Sequence, residues 1–188
     1  AKANRQASLL REAARLFAEH GFNGVSLEDL GAAVGVSGPA IYRHFANKQA
    51  VLGAILTGVS RRLHDGGLGV VGEVCSPDEL LRRLVAFHVD FALEDVDIIR
   101  VQDRDLESLC AADRHTVRRL QRAYVELWVG VLAQLHPGLS DVSLRVRAHA
   151  ALGLINSTPH SARALHPAPD DAEVRDILSR MALAALRS

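Results

Sequence analysis

A group of side chains that can bind phosphate oxygens or the edges of nucleic-acid bases lies between residues 37 and 48. Tyr42 carries a hydroxyl donor, and Arg43 and His44 carry nitrogen donors that can reach either target. Lys48 begins a predicted helix, and the free backbone N–H groups of a helix start attract the same anions. Small residues at 38–40 would let the backbone approach a bound duplex closely. The group consists of Ser37, Gly38, Pro39, Ala40, Tyr42, Arg43, His44 and Lys48.

Two short helices joined by a tight turn would hold this group in place. Ser26 and Asp29 form a capping-box pattern for a helix through Ala33, and Gly35 stops that helix. Ser37 can cap a second helix, whose first turn tolerates a proline. This pattern predicts a helix-turn-helix, whose second helix can enter a DNA major groove about 12 Å wide. The apolar residues that would fix the helix crossing are Leu30, Val34, Val36, Ile41 and Phe45.

Longer helices are predicted on either side of this pair. The helix before it ends at Gly21, which offers a left-handed C-cap. The helix after it should start at Asn47, decay at Gly66 and Gly67, and form the only link between the two parts of the chain. The apolar stripes that predict the two helices are Leu9, Ala13, Leu16 and Phe17, and Val51, Leu52, Ile55, Leu56, Val59 and Leu63.

The stretch from Gly35 to Phe45, followed by Asn47 and Lys48, resembles the signature of the tetracycline-repressor (TetR) family. The resemblance covers roughly the first 60 residues, and the remainder agrees only in helical content and length. Ser26 stands where many members have Thr, which preserves the capping oxygen. The resemblance implies an all-α fold, with a helix-turn-helix domain over residues 1–48 and a helical ligand-binding and dimerisation domain over 49–188. It also implies a DNA face lined by Ser37, Pro39, Ala40, Tyr42, His44 and Lys48.

The charges of the chain are unevenly distributed, although its formal net charge is zero. Residues 1–64 hold eight Lys or Arg and four acidic residues, whereas the remaining residues hold 14 and 18. The neutral total therefore conceals a basic N-terminal part, as DNA binding requires. An ordinary solvated helix surface would explain the same asymmetry.

Five further helices are predicted, at about 77–94, 95–102, 112–136, 140–158 and 171–187. His88 lies on an apolar face, where a histidine is more often a core residue than a ligand contact. Core packing also explains the apolar stripe around Trp128. The resemblance implies a cavity in this region, in which polar tips would orient a small apolar effector, lipid-like or acyl. The candidate ligand-binding residues are His88, Phe91, Tyr124, Trp128 and Asn156.

The last two predicted helices carry apolar stripes with many small residues, which allow close helix contact. Such stripes could equally cover the core of a single chain. The resemblance favours a homodimer that binds a palindromic DNA operator with two half-sites about one helical turn apart. The predicted dimer interface consists of Ala148, Ala151, Leu152, Ile155, Val174, Ile177, Leu178 and Met181.

An enzyme and a helical scaffold without DNA binding are the alternative classes. The sequence has no HExxH or GxSxG motif and no GxxxxGK followed by Ser or Thr, and the alternation of Asp103, Asp105 and Glu107 lacks the glycine and the distant glutamate of a calcium loop. We therefore expect no enzyme activity, no metal and no cofactor. The prediction is a ligand-responsive transcriptional regulator, a repressor that its effector releases from DNA.

The cellular setting is inferred from cysteines and apolar runs. Cys75 and Cys110 match neither a zinc nor a redox spacing, which fits a reducing, cytoplasmic compartment. We find no secretory signal pattern and no apolar run of the roughly 20 residues that cross a bilayer.

Overall fold

The structure is a computed structural model that describes residues 2–35 and 41–188, with side chains from residue 6 onward. Eight α-helices lie within these residues, and no β-strand is found among them, which confirms the all-α prediction. Two short 3-10 helices are Phe22–Gly24 and Leu106–Ser108. The α-helices are α1 (Lys2–His20), α2 (Leu27–Ala33), α3 (Lys48–Val71), α4 (Pro77–Glu94), α5 (Val96–Asp105), α6 (Ala111–Leu135), α7 (Asp141–Ala162) and α8 (Asp171–Arg187).

The predicted helix boundaries are confirmed around α1, α2 and the start of α3. Gly21 follows α1 with a φ of 80°. Ser26 and Asp29 form a reciprocal capping box, in which the Asp29 N–H donates to Ser26 Oγ at 3.1 Å and the Ser26 N–H donates to the Asp29 carboxylate at 2.8 Å. Asn47 Oδ1 accepts from the N–H of Ala50 at 2.9 Å. The predicted start of the helix between α2 and α3 lies outside the described residues, which leave out Val36, Ser37, Gly38, Pro39 and Ala40.

We expected α3 to end near Gly66 and Gly67, but the helix continues to Val71. The two glycines permit close packing. A Cβ atom at Gly67 would lie 2.8 Å from Cε2 of Tyr124, and a Cβ atom at Gly66 would overlap the ring of Phe87. Tertiary contacts thus override the low helix propensity of glycine at both positions.

Helix α7 also extends beyond the predicted end at residue 158. A proline disfavours helix in the residue before it and removes a backbone hydrogen bond. Pro159 instead lies inside the helix, and Pro159 and Ala162 are both buried. Burial of the last turn offsets the missing hydrogen bond.

The chain forms two compact units. The first combines the residues up to Ser60 with Asp97–Arg119, and the second combines Arg61–Val96 with Leu120–Ser188. The chain therefore passes between the units three times, within α3, α5 and α6, so the expectation that α3 is the only link is wrong. The functional division at residue 48 stays a prediction.

The first unit is built around one apolar core. Side chains from α1, α2 and the first turns of α3 supply most of it, and Ile41 and Phe45 belong to it as predicted. The segment Asp97–Arg119 completes this core, although it follows long after these helices in the sequence. Its buried contributions are Val101, Leu109 and Val117.

Arg104 of this segment provides a polar connection to α1. Its guanidinium donates to the carbonyl oxygens of Phe17 and Ala18 and pairs with Asp105, which is itself buried. The last carbonyl groups of a helix have no partner within the helix and form the negative end of its dipole. Arg104 therefore caps α1 from another part of the chain.

In the second unit α4 packs against α7 and α8, which also pack against each other. Ser76, Ser140 and Asp170 cap the starts of these three helices through their side-chain oxygens. None of the helices within residues 2–35 and 41–188 combines the length and the apolar character needed to span a bilayer.

A Gly67→Ala substitution should destabilise the protein. The added methyl group would collide with the buried Tyr124 ring, which we expect to cost about 1 to 2 kcal/mol after the gain in helix propensity. Gly69→Ala is the matched control in the same helix, because a Cβ atom there meets nothing within 4 Å. Gly69→Ala should raise the free energy of unfolding by up to about 1 kcal/mol. Urea denaturation measures both, and equal effects of the two substitutions would contradict the packing role of Gly67.

Candidate functional site

Four of the eight residues predicted to contact DNA are described by the structure. Tyr42 is 51% exposed, and Arg43 and His44 are exposed as well, whereas the flanking Ile41 and Phe45 are buried. The apolar pair thus anchors this stretch in the core of the first unit and leaves three hydrogen-bonding side chains at the surface. Ser37, Gly38, Pro39 and Ala40 lie outside the described residues.

The hydroxyl of Tyr42 already forms a hydrogen bond within the protein. It donates to Oε1 of Glu28 at 2.8 Å, and this hydrogen bond to a carboxylate raises the pKa of Tyr42. Glu28 stands in the first turn of α2 and is exposed. We did not identify Glu28 from the sequence, because an acidic residue in a first turn is explained by the helix dipole alone.

Lys48 has structural partners. Its ammonium donates to the carbonyl oxygens of Phe22 at 3.0 Å and Val25 at 3.1 Å, and it lies 4.6 Å from the centre of the Phe22 ring. Two of its three N–H donors are therefore occupied, and one is left for a phosphate. Substitution of Lys48 would therefore also remove a link between α3 and the turn before α2.

The five predicted ligand-binding residues lie together in the second unit. Nδ1 of His88 is 3.1 Å from the hydroxyl of Tyr124, and Nε2 is 3.0 Å from Oδ1 of Asn156. The rings of Phe91 and Trp128 pack on the His88 ring, with centroids at 5.5 and 6.0 Å. Helical spacing on α4 and α6 thus predicted a real cluster, and its role in ligand binding stays a prediction.

His88 is 2% exposed, and its burial lowers its pKa to about 4. It is therefore neutral at pH 7, with one donor and one acceptor nitrogen. Because Asn156 offers a carbonyl oxygen, Nε2–H is the donor, and the Tyr124 hydroxyl donates to Nδ1. Burial also raises the pKa of Tyr124. The three polar tips satisfy one another, whereas Nε1 of the buried Trp128 has no hydrogen-bond partner among the described residues.

A partly open pocket of about 220 Å³ borders this cluster. Phe91 is common to both, because it lines the pocket and packs on His88. Leu63 and Phe87 add apolar surface to the pocket. We expected Leu63 in the apolar stripe of α3 and did not predict the charged residues at the pocket, because their proximity depends on the packing of α3 against α4. The lining consists of Arg62, Leu63, Phe87, Asp90, Phe91, Glu94 and Asp95.

The predicted dimer interface needs correction. Six of its eight residues are buried within the single chain, where they join α7 and α8 to the core of the second unit. Only Ile177 and Met181 remain exposed, and α7 presents Val142 and Val146 in addition. The sequence shows two apolar faces on these helices and does not indicate which one the chain covers itself. The buried residues are Ala148, Ala151, Leu152, Ile155, Val174 and Leu178.

Two of the three alternating acidic residues at the end of α5 and just after it have partners of their own. Asp105 pairs with Arg104, and Glu107 pairs with Arg114 and Arg118. Burial raises the pKa of Asp103. Within residues 2–35 and 41–188 no group of three or more His, Cys, Asp or Glu side chains could hold a metal ion.

The stability of the protein should fall as the pH drops from 7 to 5. His88 has a pKa near 6.5 when unfolded and about 4 when folded, so between these values unfolding takes up a proton. We expect this group to contribute a loss of about 2 kcal/mol between the two pH values. The loss should disappear in His88→Gln and persist in His115→Gln, which changes an exposed histidine of α6. Urea denaturation across this pH range measures it, and parallel curves for the wild type and His88→Gln would refute the assignment.

Comparison with known proteins identifies relatives of both parts of the chain. The family model described as "Bacterial regulatory proteins, tetR family" matches residues 9–55, and the model "Tetracyclin repressor-like, C-terminal domain" matches residues 74–160. The HTH-type transcriptional repressor KstR2 of Rhodococcus jostii (strain RHA1) is 28% identical over 145 residues, which are 77% of this chain and 70% of that protein.

Two solved structures illustrate the shared fold. The TetR-family regulator PfmR of Thermus thermophilus superposes with a TM-score of 0.79 at 26% identity, covering 94% of this chain and 97% of that chain. A TetR-family regulator of Bordetella parapertussis 12822 superposes with a TM-score of 0.83 at 22% identity, covering 95% and 93%. With a helix-turn-helix match at its N-terminus, a family match in its C-terminal part and this fold, the chain belongs to the TetR family of DNA-binding transcriptional regulators.

Proposed function

We propose that this regulator is a homodimeric repressor that binds a two-fold symmetric operator and leaves it when a small apolar molecule occupies the second unit. The observation that carries the DNA-binding part is the exposure pattern at residues 41–45. Buried Ile41 and Phe45 hold the chain, while Tyr42, Arg43 and His44 are exposed and can reach phosphate oxygens and base edges. Ser37, Gly38, Pro39, Ala40 and Lys48 belong to the same proposed face.

The dimer is proposed to form through the exposed sides of α7 and α8. Val142, Val146, Ile177 and Met181 are between 40% and 69% exposed, which is uncommon for four large apolar side chains on two helices that pack together. Gly153, where a Cβ atom would meet nothing within 4 Å, continues the exposed stripe of α7 and would allow a close helix approach. Two-fold pairing of these helices would present the first units of two protomers to two half-sites.

The effector is proposed to enter the pocket beside Phe91. The floor formed by Leu63, Phe87 and Phe91 suits an apolar body, and a displacement of Phe91 would give access to the polar tips of His88 and Tyr124. Leu63 lies on α3, the helix that begins with Lys48 in the first unit. We therefore propose that binding shifts the population of α3 positions, so that the first units of the two protomers no longer fit their half-sites.

Selection of binders from a random DNA pool tests the DNA-binding part, and we expect a palindrome. A Val146→Asp/Met181→Asp double variant should become monomeric in sedimentation experiments and lose most of its affinity for the selected palindrome. Val74→Asp is the matched control, because this valine is fully exposed outside both helices and its variant should remain dimeric. Selection of a single, non-repeated site, or a double variant that stays dimeric, would contradict the proposal.

Release of the selected operator tests the effector. A compound found by screening a library of apolar molecules should bind free protein more tightly than DNA-bound protein, because only a difference in affinity can shift the equilibrium. Leu63→Trp should fill the pocket and abolish release while DNA binding persists. Leu68→Trp, an exposed position further along α3, is the control that should respond normally. Equal affinity of the compound for both states would refute the mechanism.

A further inference from the structure

Glu28 is an acidic residue at the surface where a DNA-binding protein needs positive charge. It is exposed, and one of its carboxylate oxygens lies 2.8 Å from the hydroxyl of Tyr42, a residue 14 positions later in the chain. Phosphate groups repel a carboxylate in this position. Glu28 therefore acts against the proposed function of its neighbour unless it contributes something else.

Helix capping does not account for Glu28. The start of α2 already has a complete capping box from Ser26 and Asp29, and Asp29 supplies a negative charge near the positive end of the helix dipole. The Glu28 carboxylate is thus free to bind elsewhere, and it binds Tyr42.

A phosphate oxygen and the Glu28 carboxylate are alternative acceptors for one donor. The Tyr42 hydroxyl has a single hydrogen, so a contact in which it donates to phosphate requires that its hydrogen bond to Glu28 breaks. Both acceptors are anionic, so exchanging one for the other brings little net gain, and the carboxylate left behind repels the phosphate. The raised pKa of Tyr42 agrees with a hydrogen bond from its hydroxyl to the Glu28 carboxylate.

We propose that Glu28 competes with DNA phosphates for the hydroxyl of Tyr42 and thereby lowers the affinity of the protein for DNA. On random sequence the phosphate contacts provide nearly all of the binding, so losing the Tyr42 donor weakens it in full. On the operator, contacts with base edges add to the binding, so the complex persists although the same exchange occurs. Glu28 thus limits the strength of the sequence-independent phosphate contacts, and the inference rests on the proposed DNA-binding face.

The test compares Glu28→Gln with the wild type on two probes, the selected palindrome and a pool of random-sequence duplexes. The amide keeps an acceptor for Tyr42 but removes the charge. We expect the affinity for the random pool to rise about two- to fivefold and the affinity for the palindrome to rise by a similar factor. The gain should shrink at high salt, because the interaction is exposed to solvent.

Glu107→Gln is the matched control. It removes the same charge from the first unit, at a glutamate whose side chain pairs with Arg114 and Arg118. We expect it to change the affinity for random DNA less than Glu28→Gln does. An equal gain in both variants would attribute the effect to net charge and overturn the inference.

A double-mutant cycle with Tyr42→Phe separates competition for the hydroxyl from simple repulsion. Without the hydroxyl, Glu28→Gln should lose most of its effect on random DNA, and an undiminished effect in the Tyr42→Phe background would overturn the proposal. Binding of neither probe by the wild type would be a different result, because it would refute the proposed function itself. Circular dichroism of each variant verifies that α2 remains folded.

Discussion

The close approach of α3 to the aromatic rings of α4 and α6 is the constraint on which the second unit depends. Only a residue without a side chain fits at Gly66 and Gly67, where Phe87 and Tyr124 press against the helix. The same contacts set the position of Tyr124, which donates to His88. The pocket and the buried polar cluster therefore both depend on how closely α3 packs.

A neutral histidine in such a cluster is a consequence of burial rather than of a special partner. Removing His88 from water disfavours its charged form, and the hydrogen bond to Asn156 only partly opposes this effect. Tyr124 and Asn156 then match the donor and the acceptor that remain on the ring. A satisfied polar group among apolar neighbours fixes the arrangement of α4, α6 and α7, because any other arrangement leaves a buried polar atom unpaired.

Local signals allowed the sequence to predict most of this fold, and long-range contacts account for what was missed. The capping box at Ser26, the C-cap at Gly21 and the helical spacing that places Tyr124 and Trp128 on one face of α6 depend on residues close in sequence. Gly66 and Gly67 looked like helix ends because their aromatic neighbours are distant in the chain. The two apolar faces of α7 and α8 could not be told apart, since burial of Ala148 and exposure of Val146 are decided by which helix packs on which side. Similarly, the sequence does not predict the hydrogen bond between Glu28 and Tyr42, because the two residues are brought together by the fold.

The composition of the first unit has a consequence for the order of events during synthesis. Its core is closed by Val101, Leu109 and Val117, and the end of α1 is capped by Arg104. A ribosome that has produced only the first 60 residues has therefore released a helix-turn-helix whose apolar surface is still incomplete. This part of the chain can complete its core only after residue 117 has left the exit tunnel, so by then the whole of α4 has also been made. The first unit therefore cannot mature before part of the second has been synthesised, and exchange of the N-terminal 60 residues between relatives would require Asp97–Arg119 as well.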